Sequence, residues 1–231
     1  MKKVLSKLLH ILFPSRCPLC QQILTSEGCP CWEKNPLFLP PSWQEQKELP
    51  IFSGKCTTVR AAVWYKGKGK EAIWQLKFRH RPDFASGMGN MMARLVPPFT
   101  FDLVTFVPMT GKSRKRRGYN QAQLLAREVA SICALPCYSL LEKTGENPSQ
   151  HTLGRTERLT NAKGLYCAIH LEKINGRRIL LIDDVITTGS TIAACAEELR
   201  KAGAKEIGCL AFAYTGLADQ SSFCDGAASC S

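Results

Sequence analysis

The sequence predicts an α/β protein, an open parallel sheet with helices on both faces, preceded by a small cysteine-rich zinc-finger module. Unbroken apolar runs alternate with segments of helical period. One of these runs, R-I-L-L-I-D, ends in a hydroxyl-rich turn that opens a helix, and two close cysteine pairs stand near the start of the chain. Strands that are apolar without alternation are buried on both faces, which a parallel sheet covered by helices provides.

The 231 residues are 45% apolar and 22% charged, a globular composition that excludes collagen, a coiled coil or a disordered tail. No window offers the roughly 18 uninterrupted apolar residues of a membrane span. No transmembrane segment is expected, and the chain is assigned to the cytoplasm. Residues Met1 to Pro14 place apolar side chains behind Lys2 and Lys3, but Lys7 and His10 interrupt them and no small-residue cleavage site follows. The segment reads as an amphipathic helix packed on the body.

Cys17 and Cys20 form C-P-L-C, and Cys29 and Cys31 form C-P-C. A C-x2-C knuckle turns two thiolates toward one ion, and a second pair some ten residues later can complete a tetrahedral shell of structural Zn(2+). The C-x-C pair is more cramped, so the fourth ligand is open among Cys29, Cys31 and Cys56. The other seven of the twelve cysteines, from Cys133 to Cys230, lie among apolar neighbours and read as small buried hydrophobes.

Prolines 36, 40, 41 and 50 break residues 32 to 60 into an extended connector. The expected organisation is thus 1–58 for the helix, cysteine module and connector, 59–216 for the α/β domain, and 217–231 for a flexible tail. Within the domain, Val59 to Tyr65 reads as a strand, and Gly69 to Phe78 and Phe84 to Leu95 as helices, the second closed by Pro97 and Pro98. Phe101 to Pro108 is a short strand and Asn120 to Ile132 a helix. Arg178 to Asp183 is a strand, Ser190 to Ala202 a helix stopped by Gly203, and Ile207 to Tyr214 a final strand.

Net charge is +12, and it is unevenly placed: +4 over residues 1 to 60, +9 over 61 to 120, and −1 beyond. The densest stretch is Lys112, Arg114, Lys115, Arg116 and Arg117, a polyanion-binding composition. The stretch I-L-L-I-D-D-V-I-T-T-G-S-T-I, residues 179 to 192, is the most informative. A buried strand delivers Asp183 and Asp184, and the chain turns through Thr187, Thr188 and Gly189 into a helix beginning with Ser190 and Thr191. Unpaired amides at a helix start, with hydroxyls beside them and a glycine for close approach, cradle a phosphate. The adjacent acids suit ribose hydroxyls or water on Mg(2+), so a phosphorylated ribose is the expected ligand.

Gly111, Lys112 and Ser113 look like the end of a nucleoside-triphosphate loop. However, Phe106 stands where that loop needs its first glycine, and the following S-R-K-R-R-G does not read as the required helix. That reading is set aside.

Segment 179 to 192 resembles the phosphoribosyl pyrophosphate (PRPP) signature of type I phosphoribosyltransferases. The chain is also similar to the ComF family in V-P-M, in R-K-R-R-G-Y-N-Q-A at 114 to 122, and in W-Q-L-K-F-R at 74 to 79. The cysteine pairs after L-F-P and the pattern K-T-x5-Q-x2-L-x-R-x2-R-x2-N from Lys143 to Asn161 agree, so the resemblance covers roughly residues 8 to 214. It departs at the C-x-C pair and at Phe106, where relatives often carry proline.

The resemblance implies a type I phosphoribosyltransferase-like sheet that binds PRPP with Mg(2+). By position, Asp183 and Asp184 contact ribose, and Thr187, Thr188, Gly189, Ser190 and Thr191 hold the 5'-phosphate. The turn Pro108, Met109, Thr110 and Gly111 meets pyrophosphate, with Arg114, Arg116 and Arg117 balancing its charge. Arg155, with Gln150 and Arg158, belongs to a loop that closes over substrate. The implied activity is transfer of phosphoribose to a nitrogen acceptor, linked to DNA uptake in natural competence. Its partners would include a DNA-uptake helicase or other competence proteins. The alternative is a non-catalytic module that binds single-stranded DNA through Lys112 to Arg117 and Tyr119, or a PRPP sensor.

Overall fold

The computed structural model describes residues 16–25, 28–34, 58–79, 81–144 and 164–216. The expected N-terminal helix, Cys56, the 145–163 loop and the tail lie outside them. In chain order the elements are α1 (Cys31–Lys34), β1 (Val59–Trp64), α2 (Gly67–Phe78), α3 (Phe84–Ala93), β2 (Leu103–Phe106), α4 (Gly111–Arg117) and α5 (Gln121–Ile132). They continue with β3 (Leu141–Lys143), β4 (Tyr166–Ala168), α6 (Leu171–Ile174), β5 (Arg178–Ile186), α7 (Ser190–Lys201) and β6 (Glu206–Tyr214).

Four strands pair in parallel in the order β1-β6-β5-β2. Ile179 and Leu181 point to one face of β5, Leu180 and Ile182 to the other, and all four are buried, so both faces are covered. Helices α2, α3 and α5 pack together on one face, with α2 and α3 on β1 and β6 and α5 on β2 and β5; α7 packs on β4, β5 and β6. Each fully buried Leu or Ile contributes about 1.5–3 kcal/mol relative to exposure, which is what fixes strands this apolar in the centre. At the amino ends, Arg178 grips the Asp102 carboxylate through Nη2 at 2.7 Å and tethers β5 to the segment leading into β2.

The short elements α1, β3, β4 and α6 are additions to the sequence reading, and β5 and α4 depart from it. Strand β5 continues past Asp183 to Ile186 because β6 keeps pairing with it, Val185 opposite Ala213 and Ile186 opposite Tyr214. Residues 111–117, read as non-helical, form α4. Thr110 caps it by accepting the Ser113 N–H at 3.2 Å, and Gly118, at φ 80°, closes it by donating to Arg114 O at 2.8 Å. No residue of α4 is buried, so its sequence carries no apolar period to reveal it. The triphosphate-loop reading therefore loses its objection about the helix, while Phe106, a buried residue of β2, still stands in the glycine position.

Candidate functional site

Strand β2 pairs with β5 only as far as Phe106 opposite Ile182. Beyond it Val107 N donates to Ile182 O at 2.9 Å and the chain turns away. The exit from β5 runs through α7 toward β6, whereas the exit from β2 runs through α4 and α5 on the other face. A crevice opens where neighbouring connections part in this way, at the carboxyl ends of the strands, and such crevices are where open α/β sheets bind ligands.

Alternation along β5 sends Asp183 and Asp184 to opposite faces. Asp184, 9% exposed, meets Lys77 Nζ of α2 at 2.9 Å. Asp183 lies toward Cys195 and Cys209, whose thiols are raised by burial first and by the Asp183 charge second. Its Oδ1 accepts the Asp184 N–H at 2.8 Å. Burial and the neighbouring Asp184 carboxylate push the Asp183 carboxyl up to about 8, against the Asp184 amide and Lys77, which favour its charge.

The elbow behind the acids follows the expected plan. Gly189, at φ 80°, turns the chain into α7, and the first helical bond, Ala193 N to Gly189 O, is 2.8 Å. The amides of Ser190, Thr191 and Ile192 precede that ladder. Thr188 Oγ1 accepts from Ser190 N at 3.3 Å and shares a 2.9 Å bond with Ser190 Oγ, so the two hydroxyls are held at the turn. Tyr166 of β4 lies beside Thr191, and Lys143 Nζ of β3 stands 5.4 Å from the Tyr166 ring. The small hairpin thus leans against the elbow.

The turn after β2 borders a cleft of 230 Å³ shared by Pro108, Met109, Arg114, Asn120, Gln123 and Lys143. Thr110 is used as the α4 cap, and Gly111 begins that helix with open space around it. Asn120 fixes the turn from behind, donating from Nδ2 to Val107 O at 3.0 Å. Arg117 is half-buried and leans back over Phe78 at 5.2 Å, its Nη1 bonded to Gln121 Oε1 at 3.3 Å. Burial lowers its pKa while the Asp184 charge opposes that. Arg114 and Arg116 are exposed, and Arg155 lies outside the described residues.

Asp183, Asp184 and the elbow are therefore adjoining, with Arg117 within electrostatic reach. Lys77, Lys143 and Tyr166 also belong to these surroundings, and sequence reasoning does not single them out. Nothing in a lone lysine on a helix signals that it meets an acid on a distant strand.

At the other end of the chain, the sulfurs of Cys17, Cys20, Cys29 and Cys31 all lie within 4.8 Å of one another. Cys17 and Cys31 are 3.5 Å apart, Cys20 and Cys29 3.4 Å. Four thiolates about 2.3 Å from a common ion stand about 3.8 Å apart in a tetrahedron, so the set can hold a metal ion. Burial and the crowding of neighbouring sulfurs push the Cys31 thiol up, and burial raises Cys29. Cys17 Sγ accepts from Trp32 Nε1 at 3.2 Å and from Leu19 N at 3.4 Å. The cluster is joined to the main core: Trp32 is 1% exposed under the Arg94 guanidinium, and α3 comes so close to the cysteine loop that a Cβ on Gly87 would stand 2.6 Å from Arg16 O.

Residues 115–221 match the phosphoribosyl transferase domain family. The chain is similar to the DNA utilization protein YhgH of Escherichia coli K12, 29% identical over 202 residues, which are 83% of this chain and 80% of that protein. It is similar to Competence protein F of Haemophilus influenzae, 35% identical over 103 residues, 44% of this chain and 45% of that one. Among solved structures, a glutamine PRPP amidotransferase of Bacillus subtilis aligns with 57% of this chain and 26% of its own, at 23% identity and a TM-score of 0.39. The chain thus spans about a quarter of that enzyme's length. An adenine phosphoribosyltransferase of Thermoanaerobacter pseudethanolicus aligns with 58% and 82%, at 17% identity and a TM-score of 0.38. The phosphoribosyl transferase domain match over residues 115–221 takes in β5, the elbow and α7, a little under half of the chain. No helix among the described residues is long and apolar enough to cross a membrane.

Proposed function

We propose that the elbow binds PRPP and that the domain transfers its phosphoribosyl group to a nitrogen acceptor. The observation that carries the reading is the position of Gly189 and its hydroxyls at the start of α7, directly beyond two acids at the carboxyl end of a buried parallel strand. Thr187, Thr188, Ser190 and Thr191 with the first α7 amides would hold the 5'-phosphate. Asp183 and Asp184 would accept from the ribose hydroxyls, Lys77 keeping Asp184 in place. Arg117, with Arg114 and Arg116, would attract the pyrophosphate, and Arg155 would join them from its loop.

The bond from the ribose carbon to pyrophosphate breaks with its electron pair leaving on oxygen. The acceptor nitrogen adds from the opposite side and gives its proton to solvent. The chain's contribution is placement and charge, and the reaction requires no protein nucleophile. Mg(2+), arriving with the substrate, supplies charge neutralisation on the diphosphate.

The four-thiolate cluster is proposed to hold structural Zn(2+), with all four positions filled by sulfur. The proposed organisation is residues 1–58 as the cysteine-rich part, 59–216 as the transferase-like domain and 217–231 as a tail. The names of the two relatives support a role in DNA handling, and the cytoplasm, beside a DNA-uptake helicase or other competence proteins, is the place proposed for it.

Calorimetry with PRPP and Mg(2+) tests the binding, and pyrophosphate release with a panel of nucleobases tests the transfer. Abolished binding in Asp184→Asn and in Gly189→Val is the expected result. Absence of binding by the wild-type protein defeats the reading, and binding without turnover on any base restricts it to a sensor.

A further inference from the structure

At the amino ends of β1, β5 and β6, at the opposite end of the sheet from the crevice, the segment leaving α3 borders a slot of 40 Å³. Its walls are apolar, with Leu95 and Pro97 from that segment, Phe101 ahead of β2, Leu180 of β5 and Leu210 of β6. Gly208 of β6 makes room for the Phe101 ring, since an added Cβ there would stand 2.3 Å from Phe101 Cζ. Among the described residues that line the slot, the one cation is Arg60 of β1. Its Nη1 donates to Leu95 O, which holds the guanidinium against the segment after α3. The side-on edge, Nε with Nη2, is left over. Nε is buried without a hydrogen-bond partner, and among the described residues nothing accepts from Nη2 and no carboxylate pairs with Arg60. Glu206, the acid at the rim, is exposed and stands opposite Arg178 in the β5–β6 register.

We infer that this slot binds a short aliphatic monocarboxylate, its two oxygens on Nε and Nη2 of Arg60 and its alkyl chain among the apolar walls. Two parallel N–H groups on one edge of a guanidinium match the two oxygens of a carboxylate. A charged donor left unmet among apolar walls is unfavourable, and a carboxylate meets it with both a hydrogen bond and the opposite charge. The walls set the rest of the ligand. A water-sized group takes about 10–15 Å³, so a slot of 40 Å³ accepts a chain of about three carbons behind the carboxyl group, the size of butyrate. Inorganic phosphate brings more polar oxygens than one arginine edge can pair, and the apolar walls offer the others nothing. The slot shares no residue with the elbow, the acids or the turn after β2, so it goes beyond the PRPP reading and stands independently of it.

The test is calorimetry of the full chain with sodium butyrate, beside acetate, octanoate, butanol and inorganic phosphate at matched ionic strength. Saturable binding of butyrate at a single site is expected. Acetate lacks two methylenes and binds roughly fifteenfold more weakly, about fourfold for each. Octanoate overfills the slot and binds more weakly than butyrate. Butanol keeps the chain without the charge and loses about tenfold or more. Arg60→Met keeps an apolar stem and removes the guanidinium, and Val96→Trp fills the slot from a half-buried position with Arg60 in place. Each lowers butyrate affinity by about tenfold or more. The contrast of butyrate with butanol uses the wild-type chain, so the inference is tested even where a variant fails to fold. Val96→Trp retains PRPP binding and Asp184→Asn retains butyrate binding, which separates failure of the slot from failure of the crevice. Absence of butyrate binding, butanol or phosphate bound as tightly as butyrate, or undiminished affinity in a folded Val96→Trp protein each overturn the inference.

Discussion

Lys77 on α2 and Asp184 on β5 form an ion pair of 2.9 Å between a helix and a strand far apart in sequence, with side chains only 22% and 13% exposed. The pair locks α2 over the carboxyl end of the sheet. It also sets a cation against Asp184, the neighbour whose carboxylate helps push the Asp183 carboxyl up. The lysine thereby links packing to chemistry.

Lys77→Met removes the cation and leaves the little-exposed Asp184 carboxylate without it. The expected loss is about 2 kcal/mol of unfolding free energy near neutral pH, somewhat below that for a fully buried pair because this one keeps some solvent. Asp184→Asn in the same background recovers most of it. A double-mutant cycle by urea unfolding measures the coupling, and additive single losses contradict the interpretation.

Asp183 makes stability fall with rising pH. Its carboxyl titrates at about 8 in the folded protein, against roughly 4 in an unfolded chain. Between those values the folded state keeps a proton that the unfolded state has released, so raising the pH favours unfolding. Urea midpoints measured from pH 5 to 9 therefore decline in the wild type. In Asp183→Asn the decline is largely gone. Parallel pH profiles for the two proteins would show that the carboxyl is not raised.

The sheet was legible because its strands are buried on both faces, so V-R-A-A-V-W, L-L-I-D and C-L-A-F-A-Y read as runs with no period to confuse. The elbow was legible because its chemistry is local, from Asp183 to Thr191. The three-residue strands β3 and β4 are too short to show alternation, and α4 is held by a cap at each end with no buried stripe. Lys77 was invisible for a different reason. Lys77 lies in W-Q-L-K-F-R and Asp184 in the stretch 179 to 192, but no pattern in either segment announces that the two meet across the fold, nor that Tyr166 meets Thr191.

Helices α3 and α5 approach closely at Gly89, where an added Cβ would stand 2.3 Å from Glu128 Cβ on the facing helix. Helical propensity alone favours Ala over Gly by up to about 1 kcal/mol. Here the clash is with a β-carbon, which cannot rotate away, so the helices must separate. Gly89→Ala is expected to cost about 1–3 kcal/mol. An unchanged or raised urea midpoint would mean that the two helices are not packed this tightly.

The thiolate cluster is built into the core, and that sets what metal removal does. Trp32 donates its indole N–H to Cys17 Sγ and is buried beneath Arg94 of the segment following α3. Elemental analysis is expected to give about one ion per chain, and a chelator to lower the melting temperature of the whole domain cooperatively, without a separate early transition for the cysteine loop. Trp32→Phe keeps most of the buried ring while deleting the N–H donor. Its metal affinity should fall about 10–100-fold, as when other ligands are deprived of a supporting hydrogen bond, while the ion count at saturating zinc stays at one. A chelated protein that melts as the untreated one does, or a Trp32→Phe variant with undiminished affinity, would show that the cluster neither braces α3 nor depends on the indole.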